Sequence, residues 1–277
     1  MTPTMEILSI GNELLIGKIP NTNAQWLCKQ ATALGITVKR VTVLPDNVDE
    51  TAEAIREALK RKPHFILTTG GLGPTFDDQT LETIAKALTR KLEVNPEALQ
   101  MVKEKYLAYA SKASNKHVEL TAARTKMATI PEGTKPIYNP VGTAPAVRVD
   151  LKGTVLIAMP GVPREMEAIF TETVEPILKE ASGGAAFYEE SLYVDIMESA
   201  LAPLIDVTMR DNPGIYVKSH PKTEENQPHI ELHLSTTAAN PEAAKEKLRR
   251  AAAQLADLIT KKRGKIYPEE QATNKSS

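Results

Sequence analysis

The sequence predicts an α/β fold, in which helices cover both faces of a largely parallel sheet, followed by a small α+β domain. The first observation is a regular alternation of strand-like and helix-like segments, which is typical of parallel strands joined by right-handed crossovers. The second is a later strand-helix-strand-strand-helix-strand order, which suits a ferredoxin-like or related domain. The length of 277 residues leaves room for both domains.

The first half of the chain contains three strand-and-helix repeats. Apolar, β-branched runs alternate with segments whose apolar residues recur at helical spacing. Either Asn21 or Thr22 suits the N-cap of the first helix. The predicted strands are 5–10, 36–44 and 63–67, and the predicted helices are 24–31, 49–62 and 81–88.

A glycine-rich turn follows the third strand. Gly70, Gly71 and Gly73 remove three Cβ atoms over four positions, which lets a ligand approach the main chain. A turn of this kind at a helix N-terminus favours an anion, usually a phosphate. Asp77 and Asp78 would repel that phosphate, and a divalent cation between them would remove the conflict. The alternative is that one of these aspartates only caps the next helix.

Other polar residues follow the first two strands. Asn12 and Glu13 come after the first strand, and Asp46 comes after the second. Ligands of parallel sheets bind outside the carboxyl ends of the strands, so we expect these side chains to converge with Asp77 and Asp78. Turn chemistry is the other explanation for Glu13 and Asp46.

The rest of the first domain, residues 1–182, is less regular. Two loops rich in small residues, 138–146 and 159–167, flank a predicted hairpin of 147–149 and 154–158. The final helix is predicted at 165–179, and Ser182-Gly183-Gly184 is the best linker candidate. The second domain is predicted at 186–268, and 269–277 is a polar tail.

Composition excludes several classes of function. The formal net charge of −1 gives no global attraction to nucleic acid or membrane. Cys28 is the single cysteine, so no intramolecular disulfide can form, which indicates a reducing compartment. No apolar stretch reaches the length of a membrane span, and the N-terminus resembles no targeting signal. A cytoplasmic protein without a membrane partner is therefore expected.

Four motifs resemble the competence/damage-inducible protein A (CinA) family, whose amino-terminal part is similar to the molybdopterin-binding domain of molybdenum cofactor biosynthesis proteins. The motifs are Gly11-Asn12-Glu13-Leu14-Leu15-Ile16-Gly17 with Asn21-Thr22-Asn23, Gly70-Gly71-Leu72-Gly73-Pro74-Thr75 with Asp77-Asp78, Asn139-Pro140-Val141-Gly142-Thr143-Ala144-Pro145, and Pro160-Gly161-Val162-Pro163 with Glu165-Met166. The resemblance implies a three-layer αβα fold and a homodimer. It also implies ADP-ribose pyrophosphatase activity that depends on a divalent metal such as Mg, Mn, Co or Ni.

The resemblance assigns roles to individual positions. The glycine turn would bind phosphate through Gly70, Gly71, Leu72, Gly73, Pro74 and Thr75. Glu13, Asp46 and Asp78 would be catalytic beside Asn12, with Asp77 and Asp78 holding the metal. Asn139, Gly142 and Thr143 would close over the ligand. The sequence departs from the family pattern in two places. It has Ala146 where family members often carry glycine. It also stops before the nicotinamide-nucleotide amidase domain that many members carry, so no deamidation is expected.

Three functional hypotheses follow. The first is hydrolysis of a nucleoside diphosphate sugar, ADP-ribose in particular, to AMP and ribose 5-phosphate. The alternative is a protein that binds molybdopterin or acts in molybdenum cofactor biosynthesis through the same residues. The third places a nucleic-acid-binding surface at Lys218, His220 and Lys222, although a solvated loop explains this small cluster better and nucleic acid is not the expected partner.

Overall fold

The computed structural model describes residues 2–112, 119–224 and 227–267. The chain divides into two compact units. The first contains Met1–Thr32 and Ile36–Ser182, and the second contains Ala33–Gly35 and Gly183–Ser277. The predicted polar tail at 269–277 lies outside the described residues.

The first unit contains eight strands and eight α-helices within its described residues. Its strands are β1 (Thr4–Ile10), β2 (Thr37–Leu44), β3 (Phe65–Thr69), β4 (Leu92–Val94), β5 (Thr129–Pro131), β6 (Lys135–Ile137), β7 (Ala146–Leu151) and β8 (Thr154–Met159). Its helices are α1 (Asn12–Leu15), α2 (Thr22–Ala33), α3 (Val48–Lys60), α4 (Thr80–Leu88), α5 (Pro96–Lys112), α6 (Ala122–Lys126), α7 (Pro163–Ile169) and α8 (Glu175–Ala181). A π-helical segment, Phe170–Val174, joins α7 to α8, where the sequence predicts one continuous helix. The short strands β4, β5 and β6 were not predicted.

Six of these strands form one sheet in the order β2-β1-β3-β8-β7-β6. The pairs β1 with β2, β1 with β3 and β3 with β8 are parallel, whereas β7 runs antiparallel to β8 and β6. The largely parallel sheet is therefore confirmed. Its four parallel strands all end at the same edge, which places the loops after them together.

Both faces of this sheet are covered. Every residue of β3 is buried, including Ile66 on one face and Leu67 on the other. Ile66 belongs to a core cluster that includes Ile55 of α3 and Ile84 of α4. On the other side of the fold, Trp26 of α2 packs edge to face against Phe170, with ring centroids 5.1 Å apart. The three-layer arrangement follows, because strands buried on both faces need helices on both sides.

The second unit is a four-stranded antiparallel sheet with two helices. Its elements are β9 (Ala186–Asp195), α9 (Glu198–Asp211), β10 (Tyr216–Glu224), β11 (Gln227–Ala238), α10 (Pro241–Lys261) and β12 (Lys265–Tyr267). The strand order is β10-β11-β9-β12. Leu201, Leu232 and Leu255 bring one helix, the sheet and the other helix into one core. The predicted α+β fold is thus confirmed.

Candidate functional site

A cavity of about 350 Å³ lies at the edge where the four parallel strands end. The loops after β1, β2, β3 and β8 form its walls, together with the loop that precedes β7. We call it the rim cavity. The predicted residues that line it are Glu13, Asp46, Gly70, Gly71, Leu72, Gly73, Pro74, Asp77, Asp78 and Thr143. Asn12, Thr75, Asn139 and Gly142 were predicted to contact ligand but are not among its lining residues.

Packing between protein segments explains the glycines of the turn. A Cβ on Gly70, which has φ of +104°, would lie 2.1 Å from the carbonyl oxygen of Ile10. A Cβ on Gly71 would lie 2.3 Å from Thr80 Oγ1, and one on Gly73 would lie 2.5 Å from Asp78 Oδ2. The space without Cβ atoms is therefore occupied by neighbouring protein atoms, which fixes the turn against β1 and α4.

Thr75 organises the two aspartates of the turn. Its N–H donates to Asp78 Oδ2 at 2.8 Å, and its hydroxyl oxygen lies 2.5 Å from both Asp77 Oδ1 and Asp78 Oδ2. One hydroxyl donates only one proton, so it can satisfy only one of these carboxylates at a time. The hydrogen bond from Thr75 lowers the pKa of Asp77, and the charge of Lys126 adds to this effect.

Neither aspartate caps α4. Its N-cap residue is Gln79, whose side chain makes no capping hydrogen bond. The first N–H of the helix, that of Thr80, donates to the carbonyl of Gly71 at 3.0 Å. Capping as the explanation for the aspartate pair is therefore wrong, and both carboxylates belong to the turn itself.

Asn12 holds Asp46 in place. The backbone N–H of Asn12 donates to Asp46 Oδ2 at 2.8 Å, and Asn12 Oδ1 accepts from the backbone N–H of Asp46 at 3.3 Å. Asn12 thus positions Asp46, which lines the cavity, and does not line the cavity itself. The carboxylate of Glu13 folds back over Gly11, where a Cβ would lie 2.5 Å from Glu13 Oε1.

Glu165 is a cavity residue that the sequence interpretation did not assign to the site. Its Oε2 accepts from Asn139 Nδ2 at 2.7 Å, and a Cβ on Gly142 would lie 2.1 Å from its carboxylate. Asn139 is 2% exposed and also binds its own loop, since Oδ1 accepts from the N–H of Gly142 at 2.7 Å. The sequence signal that could have identified Glu165 as a cavity residue is its position, six residues after the end of the parallel strand β8.

The rim cavity is strongly acidic. Glu13, Asp46, Asp77, Asp78 and Glu165 line it, and none of its described lining residues is Lys, Arg or His. Oxygen donors of this kind fit hard divalent cations. Within residues 2–112, 119–224 and 227–267, however, no group of three or more acidic, His or Cys side chains converges closely enough to hold a metal ion. A cation here would have to take further ligands from a phosphate or from water.

The basic residues predicted in the second domain lie on its edge strand, β10. Lys218 and His220 are exposed, and Lys222 lies where side chains are outside the described part of the structure. His220 lies near His233, with ring centroids 6.3 Å apart, and His233 Nε2 is 2.8 Å from Glu189 Oε2. Acidic and basic groups are thus mixed on these strands, and the expectation that nucleic acid is not a partner stays a prediction. Within the described residues, no helix has the length and apolar character of a membrane span.

Comparison with known proteins connects this geometry to a family. Residues 6–180, which contain every lining residue of the rim cavity, match the family described as "Probable molybdopterin binding domain". The chain belongs to this family. We therefore call this part of the first unit the molybdopterin-binding domain.

Individual relatives cover more of the chain. A protein of Pyrobaculum calidifontis is 44% identical over 262 residues, which are 94% of this chain and 97% of that protein. A protein of Caldivirga maquilingensis is 46% identical, over 90% of this chain and 94% of its own length. The relatives thus contain both the molybdopterin-binding domain and the second unit.

A solved structure resembles the molybdopterin-binding domain. The crystal structure of the protein CinA with unknown function from Thermoplasma acidophilum is 40% identical, with a TM-score of 0.57. It covers 63% of this chain, and the match covers 98% of that protein. The relationship to CinA that the four sequence motifs predict is confirmed.

Proposed function

We propose that the chain binds a phosphorylated pterin of the molybdopterin class in the rim cavity, together with a divalent cation. The observation that carries this proposal is the position of the glycine turn, whose residues Gly70 to Pro74 form one wall of the cavity. The backbone of a turn that leads into a helix N-terminus binds a phosphate through its N–H groups, without the help of side chains. The family description supports the pterin as the ligand class.

A cation is needed because of the charge of the cavity. Five carboxylates and a phosphate in one confined space repel each other, and the described lining contains no basic group. The charge of Lys126 acts on Asp77 from outside this lining, and one positive charge does not balance five negative ones. The hydroxyl of Thr75 lies close to oxygens of both Asp77 and Asp78 but can donate its proton to only one of them, so the other contact lacks a hydrogen bond from this hydroxyl. Mg²⁺ usually binds through one or two carboxylates plus phosphate oxygens and water, so Asp77 and Asp78 suffice on the protein side.

Calorimetric titration with 6-hydroxymethylpterin diphosphate tests this proposal. We expect binding in Mg²⁺, and a loss of at least about tenfold in affinity when EDTA replaces the metal. Asp78→Asn removes one of the charges that hold the cation and should weaken binding by a similar factor. Asp257→Asn is the matched control, because Asp257 only pairs with Lys261 on an exposed face of α10 in the second unit.

Two results would contradict the proposal. The first is the absence of binding both with and without Mg²⁺ in a protein whose circular dichroism shows it to be folded. The second is a pair of observations: the wild type binds the pterin diphosphate with equal affinity in Mg²⁺ and in EDTA, and Asp78→Asn binds it as tightly as the wild type. This pair would place the ligand away from the aspartates.

The second candidate is metal-dependent hydrolysis of ADP-ribose to AMP and ribose 5-phosphate. The observation that favours it is the convergence of Glu13 and Asp46 with the aspartate pair on one cavity, as the CinA resemblance requires. The oxygen of a water molecule would bond to one phosphorus while the bridging P–O bond breaks, and Asp46 or Glu13 would accept the proton of the water. A bound divalent ion would neutralise the pyrophosphate and lower the pKa of water.

Release of AMP from ADP-ribose tests this candidate directly. The assay uses Mg²⁺, Mn²⁺, Co²⁺ or Ni²⁺, with EDTA as the blank. We expect metal-dependent release that Asp78→Asn abolishes and Asp257→Asn leaves unchanged. Wild-type rates in Asp78→Asn would refute the role of this residue, and no release with any of the four metals would remove the hydrolase while leaving pterin binding open.

A further inference from the structure

A second cavity, of about 480 Å³, adjoins the rim cavity across the glycine turn. Gly71, Leu72, Gly73 and Asp78 line both cavities, so the glycine turn forms a wall that the two cavities share. We call the second one the annex. Its size and its partly open shape suit a planar ring system, since ligand pockets commonly range from about 300 to 1,000 Å³.

The wall of the annex is mostly apolar. Leu72 and Leu81 are buried beneath it, whereas Leu92 and Leu120 are 39% and 38% exposed. Ala122 of α6 completes this apolar lining. An aromatic heterocycle placed here would cover leucine side chains that water now contacts, which favours binding.

Both hydroxyl groups in the described lining of the annex are already engaged. Thr125 Oγ1 donates to the carbonyl of Thr121 at 3.1 Å, and Thr129 Oγ1 donates to the carbonyl of Thr125 at 2.9 Å. Lys126 donates one N–H to the carbonyl of Thr75, and an ammonium group carries two further N–H donors. The polar groups that can recognise a ligand are therefore few.

Glu82 is the acceptor with the most freedom. It lies in the first turn of α4 and is exposed, and its carboxylate has no hydrogen-bond or ion-pair partner within the described parts of the chain. A carboxylate accepts two N–H groups side by side. The annex thus offers a two-fold acceptor, Glu82, and a donor, Lys126, on otherwise apolar walls.

We infer that the annex binds a ring with a 2-amino-4-oxopyrimidine edge, the edge shared by pterins and guanine. Glu82 accepts the N–H of the exocyclic amine and the adjacent ring N–H, and Lys126 donates to the neighbouring carbonyl. The phosphate of the same ligand lies in the rim cavity. This inference rests on the proposed pterin-binding function and adds which residues select the ring.

The same arrangement disfavours adenine. Adenine presents one amine donor beside a ring nitrogen acceptor, which would face the carboxylate of Glu82, and it has no carbonyl for Lys126. Sites built to hydrogen-bond a specific group reject analogues that lack it, because the protein group is then left unpaired. Selection for the oxo ring would therefore also disfavour ADP-ribose.

Binding of GDP, ADP and inorganic pyrophosphate, measured by calorimetry in Mg²⁺, tests the inference. GDP should bind at least about tenfold more tightly than ADP, because a charged carboxylate accepts two of its N–H groups. Glu82→Gln should remove most of this preference without changing the affinity for pyrophosphate. Glu97→Gln is the matched control, since Glu97 is an exposed first-turn glutamate of α5 and lines neither cavity.

The outcomes separate the inference from the function on which it rests. A GDP preference that is lost in Glu82→Gln and kept in Glu97→Gln supports the inference. Equal binding of GDP and ADP, with pyrophosphate competing for both, overturns the inference and leaves phosphate binding in the rim cavity intact. If pyrophosphate and both nucleotides fail to bind the folded protein while 6-hydroxymethylpterin diphosphate binds, the inference alone is refuted. If the pterin diphosphate also fails to bind, the proposed function is refuted together with the inference.

Discussion

Gly70→Ala tests whether the glycine turn is fixed by contacts with β1. Gly153→Ala is the matched control, because Gly153 lies in the turn between β7 and β8 with φ of +82° and would place its new Cβ in open space. The control should cost only the backbone strain of a positive φ, about 1–2 kcal/mol in free energy of unfolding. Gly70→Ala carries similar strain, and its Cβ would also lie 2.1 Å from the carbonyl oxygen of Ile10. Such an overlap forces the two segments apart and adds about 1–3 kcal/mol, which gives a total of about 2–5 kcal/mol.

Urea unfolding followed by tryptophan fluorescence measures this difference. Trp26 is the single tryptophan and packs on Phe170 in the first unit, so its emission reports on the unit that contains the rim cavity. Gly70→Ala should also weaken binding of the pterin diphosphate, because Ile10 and Gly70 both line the cavity. The reasoning is refuted if the two variants lose equal stability and Gly70→Ala binds ligand like the wild type.

Two further predictions concern charged contacts. Arg61→Met should cost about 2–4 kcal/mol in free energy of unfolding, because it leaves the carboxylate of Glu6, 3% exposed, without the bidentate partner that donates at 2.6 and 2.7 Å. Arg56→Met is the control, because it loses only an ion pair to Glu53 on the surface of α3, and it should cost less than about 1 kcal/mol in the same urea assay. Equal costs would contradict this account. Thr75→Val should raise the pKa of Asp77, since the hydroxyl of Thr75 lowers it. The stabilisation of the fold by this contact is present above the unfolded-state pKa of Asp77 and is lost as the pH falls through the folded-state pKa. A ¹³C titration of the Asp77 carboxyl group measures this pKa, and an unchanged titration in the variant would exclude the hydroxyl as the cause.

Periodicity and turn chemistry predicted most of the fold. The alternating segments up to residue 88 gave the parallel strands β1, β2 and β3, because apolar spacing reports directly on which residues are buried. The strands β4, β5 and β6 escaped prediction because each has only three residues, too few for a period to be visible. The π-helical segment was also missed, since its sequence continues a helical pattern.

The sequence located several cavity residues in the loops that follow the parallel strands. Glu13, Asp46 and Asp78 line the rim cavity because the carboxyl ends of parallel strands meet at one edge. Asn139 and Gly142 are predicted to contact the ligand, but Asn139 donates to Glu165, and a Cβ on Gly142 would lie against the carboxylate of Glu165. A sequence shows which residues belong to a motif and does not show whether a motif residue faces the ligand or supports its neighbour.

The sequence by itself determined the order of the longer elements and the edge of the sheet where the polar residues gather, because local propensity and hydrophobic periodicity are encoded in consecutive residues. Its four motifs determined the family. Only the tertiary structure decided which atoms occupy the space left by Gly70, Gly71 and Gly73. It also decided that an apolar cavity beside Glu82 adjoins the acidic one. Both depend on contacts between residues far apart in the chain, such as Ile10 with Gly70, and the distance of such a contact is set by the packing of the whole domain.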